Sequence, residues 1–117
     1  MERDSRPDSP QAIGKRLRLI RIAYGVVQGR IKELSQAEFC RLCDITTQAW
    51  NNAETGDNRI GLDSAMAVWS RTGADLNYIY GGERAGLPLT LGGVIEKLEK
   101  GRSSKHAEAS PLRPRPE

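Results

Sequence analysis

Apolar residues along this chain return at helical rather than strand spacing. Ile13, Leu17, Ile20 and Tyr24 recur every three or four positions from Gln11 onward, with Lys15, Arg16 and Arg18 between them, and predict a first helix. Gly25 is expected to break it, and "VVQGRIKEL", residues 26–34, reads as a connector. Ser35 followed by Glu38 is the pattern of a capping box, and Phe39, Cys40 and Cys43 give the short helix behind it one apolar face. Asp44 and Ile45 make a turn, and Thr46 caps a third helix that ends near Glu54 and Gly56. After the loop "GDNRIG", Leu62, Ala65, Met66 and Trp69 mark a fourth helix to Gly73. Asp75 opens a short fifth containing Leu76, Tyr78, Ile79 and Tyr80. Leu91, Val94, Ile95 and Leu98 lie at i, i+3, i+4 and i+7, an amphipathic piece expected to stop at Gly101. No strand and no internal repeat is visible.

The ends read differently. Residues 1–10 hold two prolines and alternating charges and are expected to be a disordered arm. Residues 102–117 are low in apolar content and are expected to be a disordered tail. The expected organisation is therefore an arm (1–10), an all-α domain (11–82), a linker with a short amphipathic helix (83–101) and a tail (102–117).

Composition narrows this picture. With 38% apolar residues in 117, the chain fills one small core, and 5% aromatic content makes that core aliphatic. The 18 Lys and Arg against 15 Asp and Glu give a net charge of +3, mildly basic and compatible with a nucleic-acid partner without requiring one. No apolar run is long enough to span a membrane, and no signal core follows the charged start, so a cytoplasmic, nucleoid-associated protein without a membrane partner is expected. Cys40 and Cys43 form a C-x-x-C pair, but zinc needs two more ligands and the single histidine, His106, lies in the tail. Two buried thiols on one helix face are expected instead, with no metal and no cofactor.

One stretch asks for an explanation. "TTQAWNNAET", residues 46–55, sets Trp50 among Thr47, Gln48, Asn51 and Asn52. Taken alone, these uncharged side chains are equally a solvated surface. In context, "SQAEFCRLCDITTQAWNNAETG" resembles the phage-repressor, or Cro/XRE-type, helix-turn-helix family. Gln36 opens the second helix, Phe39, Cys40 and Cys43 stand at its apolar positions, Ile45 at the turn, Trp50 at the core position of the third helix, and Glu54 and Gly56 close it. "GLDSAMAVWSRTGADLNYIYGG" is similar to the family's fourth and fifth helices, so the resemblance covers roughly residues 12–82. Asp44 replaces the usual turn glycine, Ala53 is smaller than the family's branched residue, and the first connector is about eight residues longer than usual.

The resemblance implies a five-helix lambda-repressor-like helix-turn-helix domain with an extra C-terminal helix. The third helix would lie in the major groove with its N-terminal residues at base edges. Thr47, Gln48 and Asn52 then face the bases and Ala49 meets a thymine methyl; amides pair bidentately with adenine, each good pair giving roughly 1–3 kcal/mol of discrimination. Asn51 is offset toward phosphate. Gln36, Asn58 and Arg59, and more weakly Arg30 and Lys32, are the other phosphate candidates. Arg21 interrupts the apolar run "LRLIRIAY", and a charge facing the core needs a partner; the family's register assigns it to Glu54 as a structural ion pair.

The expected function is sequence-specific binding of double-stranded DNA as a transcriptional regulator, with Ala37 and Arg41 on the second helix favouring repression over activation through an acidic patch. Such modules read inverted repeats as homodimers. Tyr78, Tyr80, Leu91, Val94, Ile95 and Leu98 are the candidate dimer interface, though the 90–100 piece equally suits packing on its own domain. The alternative is an antitoxin-like or phage accessory module that holds a partner protein through its C-terminal segment. No nucleophile–His–Asp set, carboxylate pair in a cleft or phosphate-binding glycine loop supports an enzyme.

Overall fold

The computed structural model describes residues 6–108, with side chains through Gly101. Within them lie six helices and no strand: α1 Pro10–Val27, α2 Gln36–Cys43, α3 Thr47–Thr55, α4 Leu62–Thr72, α5 Leu76–Gly81 and α6 Leu89–Glu108. α1 is the axis of the domain. Ile13, Leu17, Ile20 and Ala23 are fully buried on it, and α3, α5 and α6 all pack against it. The core they share is mostly aliphatic, with Phe39, Trp50 and Tyr78 as its large aromatic members.

Most helix ends follow from local chemistry. Ser9 caps α1 by accepting from the Ala12 N–H at 3.1 Å, ahead of a proline whose missing N–H has no role there. Ser35 and Glu38 form the reciprocal capping box of α2, each side chain 3.1 Å from the other residue's backbone nitrogen. The Ser35 N–H and the exposed Arg30 guanidinium both donate to Glu38 and hold its carboxyl below the usual carboxylate range. Asp44 ends α2 at φ 60°, the left-handed conformation that a short polar side chain tolerates. Thr46 and Asp75 cap α3 and α5 in the same way as Ser9.

Three boundaries differ from the expected ones. α1 runs through Gly25 to Val27, because that glycine is needed for contact rather than for a break: a Cβ there would sit 3.2 Å from that of Leu34. α6 likewise continues past Gly101 to Glu108, where no tight turn is imposed. Finally, residues 6–10 are not a loose arm. The Ser9 N–H donates to the Arg6 carbonyl at 3.2 Å, Ser9 is buried, and the carbonyls of Pro7 and Asp8 accept from Arg16 and Arg59. The expected disorder of residues 1–5 and 109–117 lies outside the described residues.

The C-terminal helix folds back on its own domain. Leu91 and Ile95 are buried against the core, and Val94 and Leu98 are partly covered by it. Tyr78 is also internal, and Tyr80 donates from its hydroxyl to the Ile60 carbonyl at 2.7 Å. The six residues expected at a dimer interface thus serve mainly the intramolecular core, because α1 offers an apolar groove nearer than any partner.

Gly14 sets how closely α1 and α3 approach. A Cβ at that position would lie 2.4 Å from the Glu54 carbonyl oxygen and 2.7 Å from that of Ala53. Gly14→Ala gains roughly 1 kcal/mol in helix propensity but overpacks a contact made by backbone, typically about 1–3 kcal/mol. The backbone clash is expected to win, so the variant should unfold at lower urea with an unchanged m-value.

Candidate nucleic-acid interface

α3 is oriented by its far end. The Glu54 carboxylate accepts from Arg21 through Nε at 2.6 Å and Nη2 at 3.0 Å, from Gln36 Nε2 at 3.1 Å and from Trp50 Nε1 at 2.5 Å. Arg21 also donates from Nη1 to the Leu34 carbonyl at 2.7 Å. The ion pair is buried, with side chains 9% and 6% exposed, so both charges depend on these hydrogen bonds to replace water. Trp50 is 1% exposed and stacks at 4.9 Å, tilted, on Phe39, which in turn meets Tyr24 edge-on.

With Trp50 turned inward, the opposite face of α3 is open. Thr47, Gln48, Ala49 and Asn51 are exposed, and Asn52 is half-buried. Gln48, Ala49 and Asn52 line a concavity of about 400 Å³ together with Asn58, Arg59 and Ser64. The loop that closes it is held by α3 itself, since the backbone N–H groups of Asp57 and Asn58 both donate to the Asn52 carbonyl, at 2.9 and 3.2 Å. Arg59 donates from Nε to the Asp8 carbonyl at 2.8 Å, so the chain before α1 fixes one edge of this exposed guanidinium.

The remaining candidates lie elsewhere. Gln36 is half-buried at the other end of α3, where one amide hydrogen is taken by Glu54 and the second has no partner among the described residues. Arg30 donates from one nitrogen to both Glu38 oxygens, at 3.1 and 2.9 Å, and Lys32 is exposed beyond it. Neither lines the concavity. Sequence reasoning missed Ser64 and the Thr46–Ile45 edge of the same hollow. Ser64 carries no signal of its own; it arrives there only because α4 starts beside the loop.

The two cysteines are buried and unpaired. Burial pushes the Cys43 thiol up to about 11 and raises Cys40 as well. Among the described residues no group of three or more metal-ligating side chains occurs, and no helix is long and apolar enough to cross a membrane. Comparison with protein-family models, with curated proteins and with solved structures finds no match to this chain.

Two outcomes test this arrangement. Glu54→Ala leaves Arg21 charged, buried and without its carboxylate, and is expected to lower unfolding free energy by about 3–5 kcal/mol in chemical denaturation. An Arg21→Met, Glu54→Leu double variant should recover much of that loss, because it removes both charges together. At pH 8 both thiols should alkylate slowly in the native protein and quickly in denaturant, since a buried thiol held protonated is a poor nucleophile.

Proposed function

We propose that this chain is a sequence-specific double-stranded DNA-binding regulator of the Cro/XRE-type, lambda-repressor-like helix-turn-helix class, reading the major groove with α3. The observation that carries this reading is the orientation of α3: its tryptophan is inside, Thr47 and Asn51 are exposed on the outside, and Gln48, Ala49 and Asn52 line the concavity. Uncharged amides suit base edges, where donor and acceptor must be matched at once, better than they suit phosphate. The arginine beside them, Arg59, is braced on the Asp8 carbonyl, which reduces the freedom lost when it meets a phosphate. Gln36 sits at the first turn of α2, where backbone N–H groups favour an anion, and its spare amide hydrogen suits a phosphate oxygen.

Occupancy of an operator represses by excluding polymerase, and the exposed Ala37 and Arg41 on α2 offer no acidic patch for recruitment. The partner is an inverted repeat bound by two copies, with half-sites about one helical turn, ~34 Å, apart. A module that grips another protein through the C-terminal segment has less support, because Leu91 and Ile95 face the chain's own core.

Selection of bound sites from random duplexes is the deciding experiment, and two inverted half-sites are expected. Gln48→Ala should relax preference at one base position by about 1–3 kcal/mol, whereas Arg59→Ala should weaken all sequences alike and lower the salt slope by about 1. A pool that shows no enriched sequence ends the proposal.

A further inference from the structure

The interface expected on α5 and α6 is largely internal, which leaves the question of where two copies would meet. α4 supplies an answer. Its inner face is closed by Ala65, Val68 and Thr72, but Leu62, Met66 and Trp69 remain 59%, 46% and 41% exposed. Spaced i, i+4 and i+7, they form one stripe along the helix. One turn beyond Trp69 the chain passes Gly73, where a Cβ would come within 2.5 Å of the Pro88 ring. Leu89, 93% exposed, follows that proline and extends the apolar surface past the helix end.

We propose that this stripe is the docking surface for a second copy of the chain, with two α4 helices antiparallel about a two-fold axis close to Met66. The spacing is self-complementary. Leu62 stands four residues before Met66 and Trp69 three after it, so reversing the partner sets Leu62 of each copy against Trp69 of the other and brings the two Met66 side chains together. An isologous contact requires such a pattern, and a flexible thioether at the axis adapts to its own image. The stripe carries no charge and so offers a phosphate backbone no cation to pair with.

The area agrees with a weak dimer. At roughly 200 Å² for a fully exposed side chain of this size, the four residues leave on the order of 500 Å² per copy. Two copies then bury at most about 1,000 Å², below the roughly 1,200–2,000 Å² of stable interfaces and in the range of weak, transient ones. Association of that strength is modest in solution and is completed when both copies sit on one duplex, where effective concentration is high. Position fits as well. Ser64, which lines the hollow beneath α3, follows Leu62 by two residues and so lies about 200° around the helix. Pairing through the stripe therefore leaves both hollows open.

This inference rests on the functional reading only for the use to which the dimer is put; the dimer itself is measured without DNA. Sedimentation equilibrium of the full chain should show reversible monomer–dimer association below about 1 mM. Met66→Lys and Leu62→Lys should each weaken it at least tenfold with helical circular dichroism unchanged, and Ile31→Lys, at a fully exposed apolar residue outside the stripe, should not. If a lysine variant fails to fold, Met66→Cys gives a second readout: a short bifunctional maleimide should link two copies through it and should not link Ile31→Cys. A wild-type chain that stays monomeric throughout overturns the proposal, whether the stripe is then covered by this chain's own tail or by a different protein. Association that survives both lysine variants overturns it too. If the variants turn monomeric yet no duplex is ever preferred, the docking surface stands and the DNA reading falls. If they turn monomeric and still prefer a single half-site, both stand.

Discussion

One carboxylate, Glu54, ties three helices together. It lies near the end of α3 and takes hydrogen bonds from Arg21 on α1, Gln36 on α2 and Trp50 on its own helix. A charge in this position is tolerable only when its lone pairs are filled, since the surroundings provide little water to do so. Filling them fixes the angle at which α3 leaves the body of the domain. Gly14 makes the arrangement possible from the other side, because any side chain there would hold α1 away from the Ala53 and Glu54 carbonyls. The same contact that anchors α3 inward determines which of its residues face out, so a structural ion pair and a candidate recognition surface are two consequences of one packing decision.

Around that surface the chain organises its charges by attaching them to backbone or to carboxylates. Arg59 is braced on Asp8, Arg30 on Glu38, and Arg16 reaches the Ile79 carbonyl at 3.0 Å, its pKa lowered by burial and only partly restored by nearby acidic groups. These contacts join the segment before α1 and the long connector to the domain. α4 then presents two different surfaces on one helix, with part of the hollow beneath α3 on one side and the apolar stripe on the other.

Local elements were largely legible in the residues. The capping box at Ser35 and Glu38, the caps at Thr46 and Asp75 and the left-handed Asp44 depend on neighbours a few positions away, and the sequence carries all of those neighbours. Glycines were harder to read. Gly25 and Gly101 were expected to end helices, yet both lie inside them. A glycine that turns the chain and one that admits a neighbouring helix look alike until the neighbour is known, and Leu34 is nine residues from Gly25. Arg21 and Glu54 meet across 33 positions; the odd charge in an apolar run signalled a partner, but its identity came from the resemblance to a known register rather than from periodicity.

By itself the sequence determined that the described residues are helical and where the helices lie, to within a few residues except at the end of α6. Those placements follow from spacing and capping, which are properties of neighbouring residues; the inward Trp50 opposite a face of amides came from the resemblance to a known register. Only the tertiary structure decided that Gln36 and Trp50 share the Glu54 carboxylate, that Ser64 joins the hollow, that residues 6–10 are held by distant arginines, and that α6 covers α1. Periodicity states that a helix has an apolar face; it does not state what covers that face. Leu91 and Ile95 on α6 and Leu62 and Met66 on α4 carry the same kind of signal, and three-dimensional packing buried the first pair and left the second exposed.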